Sequence, residues 1–505
     1  MRTLIFGVDG LSFRVLHPMM QAGYLPNFQA LAHNGVEAVL ESRYPPLTPP
    51  GWMSLITGLK PAKHGVYDFW EYDEQGADRL MTHRKGGKAI WNLLSDYGKR
   101  VIVVNVPLTY PPDPVNGIVV SGIQGTSERG NFTYPNEFRE ELLAHVPDYR
   151  IDVDVTSVVQ GKLSPAQAAV QLIEKRTALM RYLLNEKDWD FAFIAFCAAD
   201  YLQHLMWEEV LALEPQVVRY FRLLDEALGQ AHAALGTDGS LFVVSDHGFQ
   251  GARVKFAINQ YLFCRKWLYS SQHLKHRTLL HSLGKGMLNR LGLLEHGRAI
   301  KLRLLHPPEQ PLTRQTPYLT RAQQMTAGVS VASWSCSSAA FADLCITRAL
   351  STQQMDDLRG ELLELTDPIN GHKLVDAIYG TEVFGQGPFQ PREEHLLLLP
   401  TDGYTFTPVL GQPWLWDRER RLFGTHQIDG VLYACGPSIK AGIKGPPAEI
   451  YDVVPTVLRT MNLPLPDNLD GRVIEDIFIP RTSVAPERET AQTTVARKLK
   501  KLLES

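Results

Sequence analysis

Three short apolar runs of the sequence end in carboxylates, and two of these ends also carry a histidine. Asp9 follows LIFGV, Asp200 follows FAFIAFCAA with His204 four residues later, and Asp246 and His247 follow LFVVS. A single carboxylate after a strand is often just a helix cap or a turn former. Three such ends in one chain, where carboxylate oxygens and imidazole nitrogens occur together, predict instead a site for divalent metal ions.

Such a set of ligands indicates hydrolysis of a phosphate ester. Two divalent ions about 4 Å apart can promote this reaction, because one activates the attacking oxygen and the other stabilises the leaving oxygen. Zinc accepts histidine nitrogen and carboxylate oxygen, so each ion needs about three ligands of these types. The five side chains above and one later histidine would suffice. The spacing of Asp200 and His204 places both on one face if the chain turns helical after the strand.

A threonine in a proline-rich segment is the candidate nucleophile. The segment reads YPPLTPPGWMSLITG, and Thr48 precedes Pro49, Pro50 and Gly51. We predict a turn at these three residues with a helix after it, so that the hydroxyl lies beside a helix N-terminus, where backbone amides favour an anion. The alternative is that Thr48 only caps the helix. Coordination to a metal ion is one way to activate such a hydroxyl.

The elements that must position these residues alternate between strands and helices. The pattern predicts an α/β fold with a mostly parallel central sheet flanked by helices on both faces. Ligands bind beyond the carboxyl ends of the strands in such sheets. The predicted strands are Thr3–Val8, Arg100–Val106, Gly117–Ser121, Phe191–Cys197, Leu241–Ser245, His395–Leu399 and Gly430–Ala434. The predicted helices include Pro26–Asn34, Ala89–Tyr97, Pro165–Asn185 and Gln216–Leu235.

The alternation breaks at about residue 251, which divides the chain into four predicted parts. Residues 1–250 form the first part of a catalytic domain, and residues 395–480 form its second part. Residues 251–394 form an inserted cap, and residues 481–505 form an exposed tail.

The cap contains a basic stretch. Between Arg265 and Arg321 there are eleven lysines and arginines against two acids, Glu295 and Glu309, and the spacing of its leucines indicates amphipathic helices. One interpretation is a solvated cap surface. The other is a surface that attracts anionic substrates and makes peripheral contact with anionic lipid headgroups.

The composition excludes several other classes of protein. The 505 residues carry a net charge of −3, so no nucleic-acid polymer is expected as a partner. The apolar runs are too short for a transmembrane helix or a signal peptide. The odd number of cysteines, without a CxxC pair, favours reduced thiols in a cytoplasmic chain over a disulfide framework; they are Cys197, Cys264, Cys336, Cys345 and Cys435. The oligomeric state is not predicted by any of these features.

Six motifs occur in the order found in the alkaline phosphatase superfamily. They are VDG at Asp9, LTPPGWMSLITG at Thr48, KHGVYDF at His64, DYLQH at Asp200, SDHGF at Asp246 and GTHQIDGVL at His426. Over about residues 1–480 the chain resembles this superfamily. It is most similar to the type I phosphodiesterase/nucleotide pyrophosphatase branch and to bacterial relatives described as predicted phosphohydrolases or phosphomutases.

The resemblance implies two metal sites, usually occupied by zinc and in some relatives by manganese. One site would consist of Asp200, His204 and His426, and the other of Asp9, Asp246, His247 and the Thr48 oxygen. Thr48 would attack phosphorus in line and form a phosphothreonine intermediate. The implied reaction is hydrolysis of a phosphodiester or phosphoanhydride in a small anionic substrate. His64 lies in a histidine–glycine turn of the family and is interpreted as structural.

The chain also departs from the pattern of these relatives. Nucleotide pyrophosphatases have an asparagine shortly after the histidine–glycine turn, where this chain has Phe69, so one donor to a phosphoryl oxygen is missing. We hypothesise that Asn105 supplies a replacement amide. The segment at Thr48 lacks the arginine of the sulfatase motif, and phosphoglycerate mutases of this fold use serine. The alternatives are a phosphomonoesterase or phosphomutase on the same site, and a non-catalytic binding protein of the same fold.

Overall fold

The computed structural model describes residues 2–42, 45–72, 78–126, 130–268, 332–333, 341–346, 349–392, 394–408 and 414–480. The predicted tail at 481–505 and all but the first few residues of the basic stretch lie outside the described residues. Among the helices of the described residues, none is both long enough and apolar enough to span a lipid bilayer.

The strands and helices are numbered in chain order. The strands are β1 (Thr3–Val8), β2 (Val36–Glu41), β3 (Trp70–Tyr72), β4 (Asp78–Leu80), β5 (Val101–Val104), β6 (Gly117–Val120), β7 (Thr133–Tyr134), β8 (Phe191–Phe196), β9 (Ser240–Val244), β10 (Gly248–Ala257), β11 (Ala332–Ser333), β12 (Ala342–Ile346), β13 (Val375–Gly380), β14 (Glu394–Pro400), β15 (Gly403–Thr407), β16 (Trp416–Gln427), β17 (Asp429–Cys435), β18 (Ile443–Lys444) and β19 (Ala448–Glu449). The helices are α1 (Phe13–Gln21), α2 (Pro26–Asn34), α3 (Thr48–Thr57), α4 (Pro61–His64), α5 (Ile90–Asp96), α6 (Phe138–His145), α7 (Val155–Val159), α8 (Pro165–Glu186), α9 (Ala198–Leu205), α10 (Trp207–Leu211), α11 (Pro215–Leu235), α12 (Ile258–Cys264), α13 (Thr352–Leu363) and α14 (Val453–Thr460).

A ten-stranded sheet forms the centre of the molecule. Its order is β18-β2-β17-β9-β1-β8-β5-β6-β7, and β19 also pairs with β2. Strands β9, β1, β8, β5 and β6 are mutually parallel, whereas β17 and β7 are antiparallel to their neighbours. The predicted α/β fold with a mostly parallel central sheet is therefore confirmed.

Helices cover both faces of this sheet because the side chains of its central strands are apolar on both sides. On β1, Leu4, Phe6 and Val8 contact the core formed with α1, α2, α8 and α11. Ile5 points to the opposite face, where α3, α5 and α14 pack. Alternating side chains of one strand thus enter two separate cores, as the continuous apolar runs predict.

The described residues also form a two-stranded sheet, β3-β4, and two larger sheets beside the central one. The order of the first larger sheet is β15-β10-β16, and that of the second is β11-β12-β14-β13. The strand predicted at His395–Leu399 is present, but it belongs to the last of these sheets, where it pairs with β12 and β13 instead of extending the central sheet. An apolar run predicts burial on both faces and does not specify the neighbouring strands. The predicted domain boundaries stay predictions.

Candidate metal centre

The three predicted carboxylates come together because their strands are neighbours. Strands β9, β1 and β8 are adjacent and parallel, so their carboxyl ends share one edge of the sheet. Asp9 and Asp246 follow β1 and β9 and are buried, with exposed fractions of 1% and 0%. The backbone amide of Gly10 donates to Asp246 Oδ1 at 3.2 Å, which links the two strand ends directly.

Helix α9 starts directly after β8 and carries two further candidate ligands. Asp200 and His204 are one helical turn apart, as the DxxxH spacing predicts, and His204 Nε2 lies 3.4 Å from Asp200 Oδ1. On the other side of the cluster, His247 follows β9. Its Nε2 atom lies 3.4 Å from Asp9 Oδ1 and 3.3 Å from Asp246 Oδ2.

The remaining candidate ligand, His426, arrives by strand pairing. Strand β10 begins one residue after His247 and pairs antiparallel with β16, in a register that places Phe249 opposite His426. His426 is 2% exposed, and its Nε2 atom lies 3.1 Å from Asp200 Oδ1. The imidazole rings of His247 and His426 stack with centroids 3.7 Å apart. His426 thus lies beside the carboxylates that follow β1 and β8, although it is 226 or more positions away from them in the sequence.

Backbone carbonyls fix all three imidazoles through their Nδ1 atoms. His204 Nδ1 is 3.0 Å from the Gly424 oxygen, His247 Nδ1 is 3.1 Å from the Gly248 oxygen, and His426 Nδ1 is 2.9 Å from the Pro46 oxygen. Because a carbonyl only accepts, each Nδ1 carries the proton and donates. Each Nε2 is then a lone-pair donor, the state in which histidine binds a metal ion.

The polar atoms of the cluster fit divalent cations. One buried oxygen of each carboxylate has no hydrogen-bond partner in the described part of the chain, namely Asp9 Oδ1, Asp200 Oδ1 and Asp246 Oδ2. The Nε2 atoms of His204 and His426 are only 2.8 Å apart, so in the neutral rings two lone pairs face each other; burial lowers the pKa of His204, but the charge of Asp200 raises it above its ordinary value. Buried lone pairs that face each other in this way need positive charge between them. Two overlapping ligand groups emerge, one of Asp200, His247 and His426, and one of Asp9, Asp246 and His247. The predicted ligand His204 lies beside the first group, because its Nε2 is 3.4 Å from Asp200 Oδ1 and 2.8 Å from His426 Nε2.

The pKa values of these groups reflect burial first and their neighbours second. Burial raises the pKa of Asp9 and of Asp246 well above the ordinary carboxyl range, and the charge of Asp200 raises both further. Burial acts the same way on Asp200, but His204 and His426 hold its pKa well below the ordinary value. Burial lowers the pKa of His247 and of His426, which keeps both imidazoles neutral and able to bind metal.

The nucleophile candidate begins helix α3 and points into this cluster. Thr48 is the first residue of the helix, is 4% exposed, and its Oγ1 lies 3.5 Å from His247 Nε2. The predicted turn at Pro49, Pro50 and Gly51 is wrong, because these residues form the first helical turn, where proline is well tolerated. The prolines have no N–H and the Gly51 N–H donates to Leu47. Among the first four residues of the helix, only Thr48 therefore has a backbone N–H that could bind an anion. The sequence had suggested several such N–H groups.

Comparison with known proteins places the chain in a family. A family model described as type I phosphodiesterase/nucleotide pyrophosphatase matches residues 3–297, more than half of the chain. The chain belongs to the type I phosphodiesterase/nucleotide pyrophosphatase family. It is a phosphoric ester hydrolase of the alkaline phosphatase superfamily.

One solved structure of this superfamily shares the fold, and a second resembles the chain less closely. Phosphonoacetate hydrolase from Sinorhizobium meliloti 1021, in complex with phosphonoformate, is 16% identical with a TM-score of 0.54, and the match covers 90% of this chain and 94% of the hydrolase. The structure of murine ectonucleotide pyrophosphatase/phosphodiesterase 5 is 13% identical with a TM-score of 0.47, over 93% of this chain and 97% of the murine protein.

Phe69 stands where nucleotide pyrophosphatases have the phosphate-binding asparagine, and Asn105 is its hypothesised replacement. Phe69 is partly buried and packs against a small apolar cluster that includes Leu47, next to the nucleophile, so this phosphodiesterase-family member has an apolar side chain there. Asn105 follows β5 with a φ of 60° and is fully buried. Its Nδ2 donates to the Ile151 oxygen at 3.1 Å, and its Oδ1 lies 3.5 Å from the Tyr149 hydroxyl. No described hydrogen bond connects Asn105 to the ligand cluster, and its role as a phosphate donor stays a prediction.

Other residues of the centre were not predicted from the sequence. Trp52 Nε1 donates to Asp9 Oδ2 at 3.2 Å, and Gln203 Nε2 donates to the Gly10 oxygen at 2.8 Å. A signal existed for Trp52, because it lies four residues after Thr48 and hence on the same face of α3. The carbonyls that orient the imidazoles carried no such signal, since every residue has one.

Proposed function

We propose that this phosphoric ester hydrolase cleaves a phosphodiester or phosphoanhydride in a metal-dependent reaction through a phosphothreonine on Thr48. One observation carries the proposal. Three buried carboxylate oxygens without hydrogen-bond partners in the described residues converge with three imidazole Nε2 atoms beside the Thr48 hydroxyl. In a member of this family, such a convergence of lone pairs is best explained by two divalent ions.

The ligand chemistry favours zinc over harder cations. Imidazole nitrogen together with carboxylate oxygen is the donor set that zinc prefers, and manganese is the alternative where oxygen ligands dominate. Asp200, His204 and His426 would hold one ion, and Asp9, Asp246, His247 and the Thr48 oxygen would hold the other. Two divalent ions would neutralise charge on the phosphoryl group and lower the pKa of the Thr48 hydroxyl.

The charges of the site select an anionic substrate. Asp9, Asp200 and Asp246 contribute three negative charges, so two divalent ions leave a net positive charge in a buried pocket of low dielectric. With the prolines after Thr48 removing amide donors, phosphate binding depends on this charge more than on the helix N-terminus. A small anionic phosphoester fits these requirements.

Thr48 is positioned to act as the nucleophile. As its Oγ1 loses its proton and bonds to phosphorus, the bond from phosphorus to the leaving oxygen breaks. The leaving oxygen takes up a proton in exchange, so the leaving group departs as an alcohol or a phosphate. Water then cleaves the bond between Oγ1 and phosphorus, which releases the product and restores the hydroxyl. The Nδ1–carbonyl hydrogen bonds hold the three imidazoles in one tautomer throughout, so the ligands do not reorganise between the two steps.

The test combines metal analysis with a comparison of two substrates. Purified protein is expected to contain two divalent ions per chain and to hydrolyse bis-p-nitrophenyl phosphate faster than p-nitrophenyl phosphate. Asp200→Ala and Asp246→Ala should each lose metal and activity. Asp225→Asn is the matched control, because Asp225 is also buried but accepts hydrogen bonds from the Asn27 and Phe28 amides, away from the ligands.

Two results would contradict the proposal. Activity in protein that contains no metal would remove its basis. Faster hydrolysis of the monoester would instead identify a phosphomonoesterase on the same site.

A further inference from the structure

The indole of Trp52 controls how Asp9 faces the cluster. Trp52 Nε1 donates to Asp9 Oδ2 at 3.2 Å. The other oxygen, Asp9 Oδ1, accepts no hydrogen bond from the described residues and lies 3.4 Å from His247 Nε2. One carboxylate oxygen is thus bound by the indole and the other is turned toward the ligand group. An indole N–H donates and never accepts, so Trp52 itself is not a ligand or a base.

The backbone of β1 leaves the space that the ring needs. A Cβ atom on Gly7 would lie 2.7 Å from Trp52 Cη2 and 2.9 Å from Phe193 Cε2, which is too close for any side chain. The Trp52 ring is fully buried, and its centroid lies 5.9 Å from that of Phe193. Packed between Gly7 and Phe193, the indole has little freedom to turn away from Asp9.

The residue before Trp52 makes a second close contact with a ligand strand. A Cβ atom on Gly51 would lie 3.0 Å from the backbone carbonyl oxygen of Asp246 and 3.2 Å from Asp246 Cβ. Helix α3 therefore meets the end of β1 through Trp52 and the end of β9 through Gly51. Thr48 lies one helical turn before Trp52. The same rigid element holds the hydroxyl and orients a ligand that faces it.

We infer that Trp52 is a positioning residue that sets the affinity of the metal site formed by Asp9, Asp246 and His247 and aligns that site with the Thr48 hydroxyl. The inference rests on the proposed function, because it requires that the cluster bind metal. Hydrogen bonds to the far side of a ligand fix its orientation, and their loss typically weakens metal binding 10- to 100-fold. The ligands Asp200, His204 and His426 come from α9 and β16, so their ion should not depend on Trp52.

The experiment is a titration of metal-free protein with Zn²⁺ in competition with a chromophoric chelator. Wild type should bind two equivalents. Trp52→Phe should bind one equivalent as wild type does and the second 10- to 100-fold more weakly. Trp91→Phe is the matched control, because Trp91 is also fully buried, also contacts Phe193, and donates Nε1 to Asp113 Oδ2 at 2.8 Å, outside the ligand cluster.

The outcomes separate this inference from the proposed function. Two equivalents of unchanged affinity in Trp52→Phe would overturn the inference and leave the proposed function standing, as would an equal loss in Trp91→Phe. A wild type that binds no Zn²⁺ would overturn both. If Trp52→Phe does not fold, 3-benzothienylalanine at position 52 keeps the ring size and replaces the N–H by sulfur. The same loss of one site is expected there, and unchanged affinity overturns the inference.

Discussion

Helix α3 carries a hydroxyl beside an imidazole at each of its two ends. Near its start, Thr48 Oγ1 lies 3.5 Å from His247 Nε2. Near its end, Ser54 Oγ lies 3.0 Å from His64 Nε2, and His64 Nδ1 accepts from the Val66 amide at 3.2 Å. By distance alone, the second pair is the better candidate for a nucleophile and its base.

The surroundings of the two pairs reverse that conclusion. His247 lies 3.4 Å or less from oxygens of Asp9 and Asp246, and its own Nδ1–H donates to a carbonyl. His64 Nδ1 accepts a hydrogen bond from the Val66 amide, so in the neutral ring the proton is on Nε2, which donates to Ser54 and cannot take the serine proton. A hydroxyl near a histidine becomes reactive through the charge around it. We therefore expect chemistry at Thr48 and a structural contact at Ser54.

The largest expected difference is in catalysis. Thr48→Ala should lower kcat/KM for bis-p-nitrophenyl phosphate at least about a thousandfold, because it removes the nucleophile. Ser54→Ala should change kcat/KM less than about threefold. Steady-state kinetics on both variants, at matched metal content, measure the difference. Comparable losses of kcat/KM in the two variants would contradict the assignment of catalysis to Thr48 and of a structural role to Ser54.

Removal of metal should affect stability at the Thr48 end of the helix. A ligand present at a thousand times its Kd stabilises the folded state by about 4 kcal/mol. Chelation should therefore lower the Tm of wild type measured by calorimetry, and added Zn²⁺ should restore it. His64→Gln should show the same shift, whereas Asp246→Ala should show much less. A Tm that is insensitive to chelation would contradict a metal centre.

The His64 end should instead respond to pH. Burial lowers the pKa of His64 to about 3, whereas the unfolded chain titrates near 6.5. Below pH 6.5 the unfolded state binds the proton and the folded state does not, so this contribution to stability is lost as the pH falls toward 3. Between pH 7 and pH 5, wild type should lose about 2 kcal/mol more than His64→Gln, in chemical denaturation at both pH values. Parallel losses in the two proteins would contradict this.

The smallest expected effect is the change in the free energy of unfolding of the metal-free protein when either hydroxyl is removed. Ser54→Ala leaves the buried His64 N–H without its acceptor and should cost about 1 kcal/mol or slightly more. Thr48→Ser keeps the hydroxyl and Thr48→Val removes it at constant size, and the two should differ by less than Ser54→Ala costs, because the Thr48 contact is longer, at 3.5 Å. Urea denaturation in the presence of chelator measures both. A larger loss at Thr48 would mean that its hydroxyl is structural.

Much of the central sheet could be predicted because its signals are local. The helix predicted at Pro26–Asn34 has those bounds in the structure, and β1 matches its predicted range. The five candidate ligands at strand ends could be proposed in the same way, since a carboxylate after an apolar run is visible in the sequence. His426 was found only through its motif, because its position depends on the pairing of β16 with β10, and nothing near it in the chain specifies that register.

The failures share a physical cause, which is that contacts between distant segments decide them. The strand at His395–Leu399 was predicted, but its sheet was not, because its partners β12 and β13 are not specified by the apolar run itself. The bond from Trp52 to Asp9 joins residues 43 positions apart.

The pairing of β10 with β16 has a consequence for protein engineering. Antiparallel pairing runs from Phe249 opposite His426 to Phe256 opposite Trp416. Facing partners in such a ladder lie about 5 Å apart, a gap that a two-residue turn closes. The 159 residues between Phe256 and Trp416 thus leave and rejoin the ladder at facing positions, and every proposed ligand lies before or after them. An exchange of this segment would therefore leave every proposed ligand in the chain.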